Sequence, residues 1–409
     1  MEKRITVAAL MAWLLVAVYY LYQYALRSAP SVMMPQLSEA FGVTALGAAS
    51  IVGMFYYGYS PFSLVAGAAV DRFGAKNVIP IGAALVGIGA LLFGTGNTVA
   101  ASAGRFMQGA GGVFALVGAV YLVTKNFPAS CAASFIGATQ MFGMAGGSLG
   151  QFGVGPLIKH GLPWGQFWIY AGIVGLVISV VMFLLLPKDV ARSSSGGIAS
   201  LVVPLGKVFR NPQSILCGLI SGLLFIPTTI FGMTWGVRYL QEARGREYAA
   251  AVTLAATVPL GWMIGCPLLG FISDRLGRRK PVIMGGTLML LGVFAWVLFG
   301  NPEILRGHLV GILMGIASGA AMLPYTVIKE ANPPELGGSA TGVINFLNFT
   351  FSALLGPVFG SRLARVSEAT DKTGLEQYQA GFQPLLYGIA LALVLAFFLK
   401  ETGPASLKS

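Results

Sequence analysis

Charge is what this sequence has least of. Asp, Glu, Lys and Arg make up 10% of its 409 residues, against about 25% in a soluble domain. With 56% hydrophobic residues and a mean hydropathy of +0.77, the chain cannot keep its surface in water, which excludes a soluble enzyme or binding module. Only three cysteines occur, Cys131, Cys217 and Cys266, without metal-like spacing, so neither a disulfide framework nor a metal site is implied. No P-loop and no catalytic triad pattern is present; the chain reads as a non-enzyme without a cofactor. The 14 acidic residues all map to loops or to the ends of apolar runs, which leaves no carboxylate in the apolar interior.

What is present instead is a series of long apolar runs, continuous rather than alternating, which predicts helices and not a barrel. Twelve spans follow, at about 5–33, 45–69, 77–95, 99–124, 130–155, 165–187, 213–238, 249–272, 280–299, 306–328, 337–361 and 380–399. The first run is too long for a signal segment and lacks a cleavage site, so it reads as a retained span. Fifty-six glycines suit close helix–helix approach in lipid. The net charge of +12 sits in short clusters at span ends and reads as membrane orientation, not nucleic-acid binding. With both termini in the cytosol, sixteen of the 26 basic residues fall inside, eight outside and two within spans.

The chain also repeats itself. Gly67-Ala68-Ala69-Val70-Asp71-Arg72-Phe73-Gly74-Ala75-Lys76 returns 203 positions later as Gly270-Phe271-Ile272-Ser273-Asp274-Arg275-Leu276-Gly277-Arg278-Arg279. Gly67 and Gly270 are expected to let a helix end pack closely on a neighbour, and Gly74 and Gly277 to supply a turn needing positive φ. Asp71 and Asp274 are placed to pair with a nearby Arg or a helix N-terminus, beside Arg72 and Arg275. The break at 188–212, with Ser193-Ser194-Ser195-Gly196-Gly197, reads as a linker whose part from Leu201 to Arg210 suits either the membrane surface or a plain tether. It divides an N-terminal six-helix bundle, 1–187, from a C-terminal one, 213–409.

The repeated motif resembles the loop 2–3 and loop 8–9 signatures of the major facilitator superfamily. The resemblance implies an all-α membrane protein of twelve transmembrane helices in two pseudo-symmetric bundles, with a site near the midplane. It implies the repeated residues are a conformational latch that touches no substrate, and that the chain works as a monomer. Short tails fit a bacterial inner membrane.

The two basic residues within spans are Arg27 and Arg105. A guanidinium there is costly unless paired or facing a wet cavity, so both are functional candidates. Without a buried counter-ion they predict a positive cavity for an anion, whose carboxylate or phosphate suits the forked guanidinium. Tyr24-Ala25-Leu26-Arg27-Ser28-Ala29-Pro30 resembles the first helix of the anion:cation symporter and organophosphate antiporter branches, where an Arg at that spacing contacts the anionic substrate. Arg105-Phe106-Met107-Gln108-Gly109 resembles the fourth-helix R-x-x-Q-G motif, which implies substrate binding, proton coupling or a structural hydrogen bond. Gln23, Tyr56, Tyr57 and Gln140 in the first half are further candidates to line the cavity. In the second half Trp235, Tyr325, Asn345 and Asn348 are proposed as neutral partners, with Thr228, Thr229 and Trp262 the other amphipathic residues there.

The departures from those branches matter as much. Proton-coupled members carry Asp before the first-helix Arg and often Glu seven residues after the fourth-helix Arg; here Leu26 and Gly112 stand there. Apart from His160 and His308, expected near the outer face, the cavity offers nothing that titrates, which favours facilitated diffusion or anion exchange. The fifth span, Gly143 to Gly150, lacks the Gly-Pro of drug antiporters, and its glycines are expected to pack across the gate. The leading substrate is a small organic anion, a carboxylate or phosphorylated metabolite, with one carboxylate favoured by the single Arg of the first span. A carrier of zwitterions such as amino acids, short peptides or a siderophore, and a non-transporting sensor of the same fold, are the alternatives.

Overall fold

The computed structural model of the chain describes residues 6–188, 199–301, 307–370 and 374–403; the side chains at 71, 129–134, 199–202, 334 and 367–370 lie outside that description. Lipid offers the backbone no hydrogen-bond partner, so each apolar run closes its own bonds as a helix. The long helices are α1 Val7–Ser28, α2 Ala45–Phe73, α3 Ala75–Phe93, α4 Thr98–Asn126, α5 Ala129–Phe152 and α6 Trp164–Leu185, followed by α7 Pro212–Glu242, α8 Tyr248–Leu276, α9 Lys280–Phe299, α10 Gly307–Glu330, α11 Gly337–Thr370 and α12 Leu375–Phe397. Local chemistry starts several of them. Thr6 Oγ1 accepts from Ala9 N, Thr44 Oγ1 from Gly47 N, Asn97 Oδ1 from Val99 N and Ala100 N, and Asn211 Oδ1 from Gln213 N.

Three details differ from the pattern of apolar runs. The first span does not stay α-helical to 33: Pro30 withholds an N–H, the chain tightens to a 3₁₀ turn over Ala29–Val32, and a separate helix Met34–Phe41 meets α2 at 102°. Gly42, at φ +62°, makes that corner. In α7 the segment Pro227–Trp235 is a π-helix, again beginning at a proline. A helix spans Ala199–Phe209, and residues 189–198, which hold the serine-rich part of the expected linker, lie outside the described residues.

The helices alternate in direction, so the start of α1 and the end of α12 lie at one face, the chain-end face. At the opposite face the first six helices are fastened to the last six. Tyr248 Oη donates to Val32 O at 2.7 Å and reaches Gly155 O at 3.3 Å; Gln151 Nε2 donates to Gly232 O at 2.9 Å and Ser31 Oγ at 3.0 Å; Ser148 Oγ donates to Ala256 O at 3.0 Å. At mid-depth Ser60 Oγ donates to Phe346 O at 2.9 Å. Among the described residues, the ties at the chain-end face run within the last six helices: Arg279 pairs with Asp274 and Glu330, and Glu401 accepts from the backbone N–H of Arg279 and Lys280 at the start of α9. Burial works against the Glu401 charge, but the backbone N–H donors of Arg279, Gly403, Lys280 and Thr402 hold its carboxyl below the usual range.

The glycine expectations divide. Gly74 and Gly277 do take positive φ, +81° and +61°. Gly67 and Gly270 do not mediate close packing: a Cβ at either would have nothing within 4 Å. In the fifth span Gly143 faces the Tyr20 ring, while Gly146 and Gly150 face the carbonyls of Leu21 and Ala25, so these three press α5 onto α1 inside the first six helices. Of the α5 glycines from Gly143 to Gly150, Gly147 looks across to the last six, where a Cβ on it would lie 3.1 Å from Met233 Cε.

Candidate functional site

The last turns of α1 are enclosed on every side. Gly146 and Gly150 let α5 approach, Tyr22 Oη reaches Ala171 O on α6 at 2.7 Å, and Tyr19 Oη reaches Gly111 O on α4 at 2.8 Å. Arg27 therefore emerges in the middle of the bundle, 2% exposed. Five aromatic rings surround its guanidinium carbon. Tyr24 on α1 lies at 5.0 Å, Phe55 and Tyr56 on α2 at 5.4 and 5.0 Å, Phe225 on α7 at 5.4 Å, and Phe349 on α11 at 4.9 Å. Ring faces attract a cation, but they leave its N–H groups unspent. Nε, Nη1 and Nη2 of Arg27 are all buried without a hydrogen-bond partner.

Other buried polar atoms near that cation are unspent too. Both amide atoms of Gln23, one turn before Arg27, have no partner, nor have Gln108 Nε2, Trp262 Nε1 and Asn348 Oδ1. The Trp262 ring packs 5.1 Å from Phe225. Asn348 adjoins Phe349 and donates Nδ2 to Tyr325 Oη at 3.2 Å, and that hydroxyl donates to Asn345 Oδ1 at 2.6 Å. Buried polar groups in folded proteins are otherwise almost always paired, so a cluster of unspent ones marks a place built for a ligand. The donors of Arg27 and Trp262 suit an anion. The acceptors Gln23 Oε1 and Asn348 Oδ1 suit hydroxyls on the same molecule.

Arg105 is built differently. Its Nε donates to Val52 O at 3.2 Å, and its Nη1 to Leu26 O at 3.2 Å and Gln108 Oε1 at 2.6 Å. It braces α1 and α2 against α4. Phe55 stands between the two cations, its ring 5.1 Å from Arg105 and 5.4 Å from Arg27.

Tyr56, Gln23, Tyr325, Asn345 and Asn348 are thus brought to or beside the Arg27 cage. Tyr57 is not: it is 38% exposed and lies with Pro61 and Val65 on the outward face of α2, because a one-residue step turns a helical side chain by 100°. Trp235 stays at the fastened end, edge-on to Phe359 and under Arg238. Gln140 is spent, accepting from Tyr20 Oη at 2.8 Å while its Nε2 reaches Met322 Sδ. Thr228 and Thr229 are spent on Ser318 and on Ile226 O and Ser352. In the repeated motif Asp274 pairs with Arg279, whereas Arg72 and Arg275 lie over Phe73 and Phe271; the Asp71 side chain lies outside the description. Phe55, Phe225 and Phe349 carry no signal in the sequence that separates them from ordinary packing aromatics.

Gly112 faces the unspent Gln23: a Cβ there would lie 2.9 Å from Gln23 Oε1, the tip of a flexible side chain. One turn before it, a Cβ at Gly109 would fall on the backbone carbonyl of Phe55. Gly109→Ala is therefore expected to force α2 from α4 and cost about 1–3 kcal/mol, and Gly112→Ala under about 1 kcal/mol. Thermal unfolding of the two purified variants checks the contrast; equal losses would contradict it.

Comparison with known proteins agrees with this architecture. The chain is 22% identical to the "Probable galactarate/D-glucarate transporter GudP" of Escherichia coli over 85% of each chain. It is 25% identical to the "Multidrug resistance protein Stp" of Mycobacterium tuberculosis, over 85% of this chain and 74% of that one. Among solved structures, a mutant of the nucleoside transporter NupG superposes with a TM-score of 0.73 at 16% identity, over 95% and 98% of the two chains. The family model for the Major Facilitator Superfamily matches residues 14–357. An all-α bundle of membrane-spanning helices with this match is a transporter and not an enzyme, and the chain belongs to the Major Facilitator Superfamily.

Proposed function

We propose that this protein carries a small hydroxylated organic anion, such as a sugar acid, across a cell inner membrane by alternating access, with Arg27 gripping the carboxylate. The observation that carries this reading is the buried Arg27 guanidinium, with three unpartnered nitrogens, lying between the first and last six helices. Gln23, Trp262 and Asn348 supply the neutral contacts, and Tyr56, Tyr325 and Asn345 shape the wall. Arg105 holds that wall in place. The name of the galactarate/D-glucarate relative supports the same substrate class. The bundles 1–187 and 213–409 rock around the site, the chain-end face is cytoplasmic, and the two Gly-x-x-x-Asp-Arg-x-Gly turns act as latches. The carrier works as a monomer in the lipid bilayer.

The test is thermal stability of the purified protein against D-glucarate, D-glucuronate, glucose, amino acids and organic cations. A ligand at one hundred times its Kd stabilises by about 2.7 kcal/mol. A shift by a sugar acid in wild type and not in Arg27→Ala is expected. A shift only by neutral or cationic compounds, equal in both, would overturn the reading.

The described residues place no carboxylate beside Arg27, so proton coupling has no carrier in the cage. Uptake of labelled D-glucuronate into proteoliposomes is therefore expected to keep its initial rate when a protonophore collapses an imposed pH gradient. Loss of uptake under that treatment would show coupling.

A further inference from the structure

We propose that the aromatic cage lets this carrier change orientation empty, so that it catalyses net one-way flux of its anion and not only one-for-one exchange. The inference rests on the anion-carrier reading above.

A carrier with a positive site becomes an obligate exchanger when the empty site cannot be closed. Closure strands a guanidinium in a dry interior, a cost of several kcal/mol that only the bound anion offsets. Here the chain is closed over Arg27, which is 2% exposed. What faces the cation is not a carboxylate but the rings of Tyr24, Phe55, Tyr56, Phe225 and Phe349, all 4.9–5.4 Å from its central carbon. The negative face of an aromatic ring attracts a cation, and desolvation strengthens the attraction.

The origin of the rings matters more than their number. Three stand on α1 and α2; Phe225 and Phe349 come from α7 and α11. Bringing the two sides together is therefore what completes the cage, and the energy of completing it becomes available without substrate. The two late-arriving rings are braced on their own side: Phe225 packs on Trp262 at 5.1 Å and on Phe349 at 5.6 Å. On closure Phe349 also meets Tyr59 of α2 at 4.2 Å. An arriving carboxylate takes the unspent N–H groups instead, through charge-assisted bonds that rings cannot make. Loaded and empty carriers then both have a closed form to pass through.

The experiment uses the full chain in proteoliposomes loaded with labelled D-glucuronate or D-glucarate, comparing efflux into sugar-free buffer with efflux into the unlabelled sugar acid. Wild type is expected to show net efflux at a rate comparable to exchange. Phe225→Leu with Phe349→Leu, which keeps apolar volume and removes two rings, is expected to slow net efflux about tenfold more than it slows exchange. Phe349→Tyr keeps a ring and is expected to retain net efflux. Wild-type net efflux below about one hundredth of exchange would mean that the empty site does not close productively, and would overturn the inference while leaving the anion carrier standing. Equal slowing of both modes by the Leu pair, with no retention in Phe349→Tyr, would reduce the rings to packing and also overturn it. Absence of exchange with either sugar acid, or exchange unchanged in Arg27→Ala, would remove the anion-carrier reading and this inference with it.

Discussion

Replacing Arg27 with alanine is expected to abolish anion binding while changing the stability of the folded protein little. Removing one partner of a buried, hydrogen-bonded charge pair costs about 2–5 kcal/mol, which raises Kd by roughly 30-fold to 5,000-fold. Among the described residues no other cation stands in the cage to compensate, because Arg105 is committed to Val52 O, Leu26 O and Gln108 Oε1. Stability is expected to move little. In the folded chain Arg27 makes no hydrogen bond with any of its three nitrogens, so its deletion orphans no partner. The loss is five ring contacts of about 0.5–2 kcal/mol each, set against relief from burying an unpaired charge, which costs several kcal/mol. Arg27→Met, which refills the volume with an adaptable apolar chain, is the cleaner variant for this comparison. Ligand-induced thermal shifts and exchange flux measure the first effect, and unfolding of the variants without added ligand the second. A variant that loses stability heavily and still binds D-glucuronate would show that Arg27 is a structural residue.

Arg105→Ala is expected to do the reverse. It removes the donor that reaches two backbone carbonyls of other helices and the oxygen of Gln108, all in the buried interior, and breaks the brace among α1, α2 and α4. Breaking a buried charged network by removing one partner costs about 3–5 kcal/mol, a large share of a membrane domain's margin. Transport is expected to fall in step with the amount of folded protein, with little change in Kd for what remains. Arg105→Lys recovers only part, since one ammonium cannot reach three divergent acceptors as a planar fork does. Full stability with weakened anion binding in Arg105→Ala would instead place that residue in direct contact with substrate.

The opposite expectations for two arginines of the same kind show where the sequence stops being informative. Both stand out because each interrupts an apolar run, and burial of a charge is costly enough to be legible in composition alone. Which one is spent is not legible. It depends on whether carbonyls from other helices arrive within 3.2 Å, as Val52 and Leu26 do for Arg105. The same limit explains Tyr57, whose neighbour Tyr56 enters the cage while it faces outward. In an all-apolar helix the two faces carry no periodic signature, so only packing against α4 and α11 decides which side is inside.

By itself the sequence determined that this chain lives in a membrane, crosses it as helices, repeats a charged turn, turns at Gly74 and Gly277, and buries arginine without a matching carboxylate. Each of these rests on a local cost: desolvation of charge, the backbone's need for internal hydrogen bonds, the steric demand of positive φ. Tertiary structure alone decided the five-ring cage, the unspent amides of Gln23 and Asn348, the adjacency of Trp262 and the fastening through Tyr248, Gln151 and Ser148. Those features join residues far apart in the chain, and phenylalanine is as common in packing as in recognition. Their meaning comes from the neighbours that helix packing assigns them.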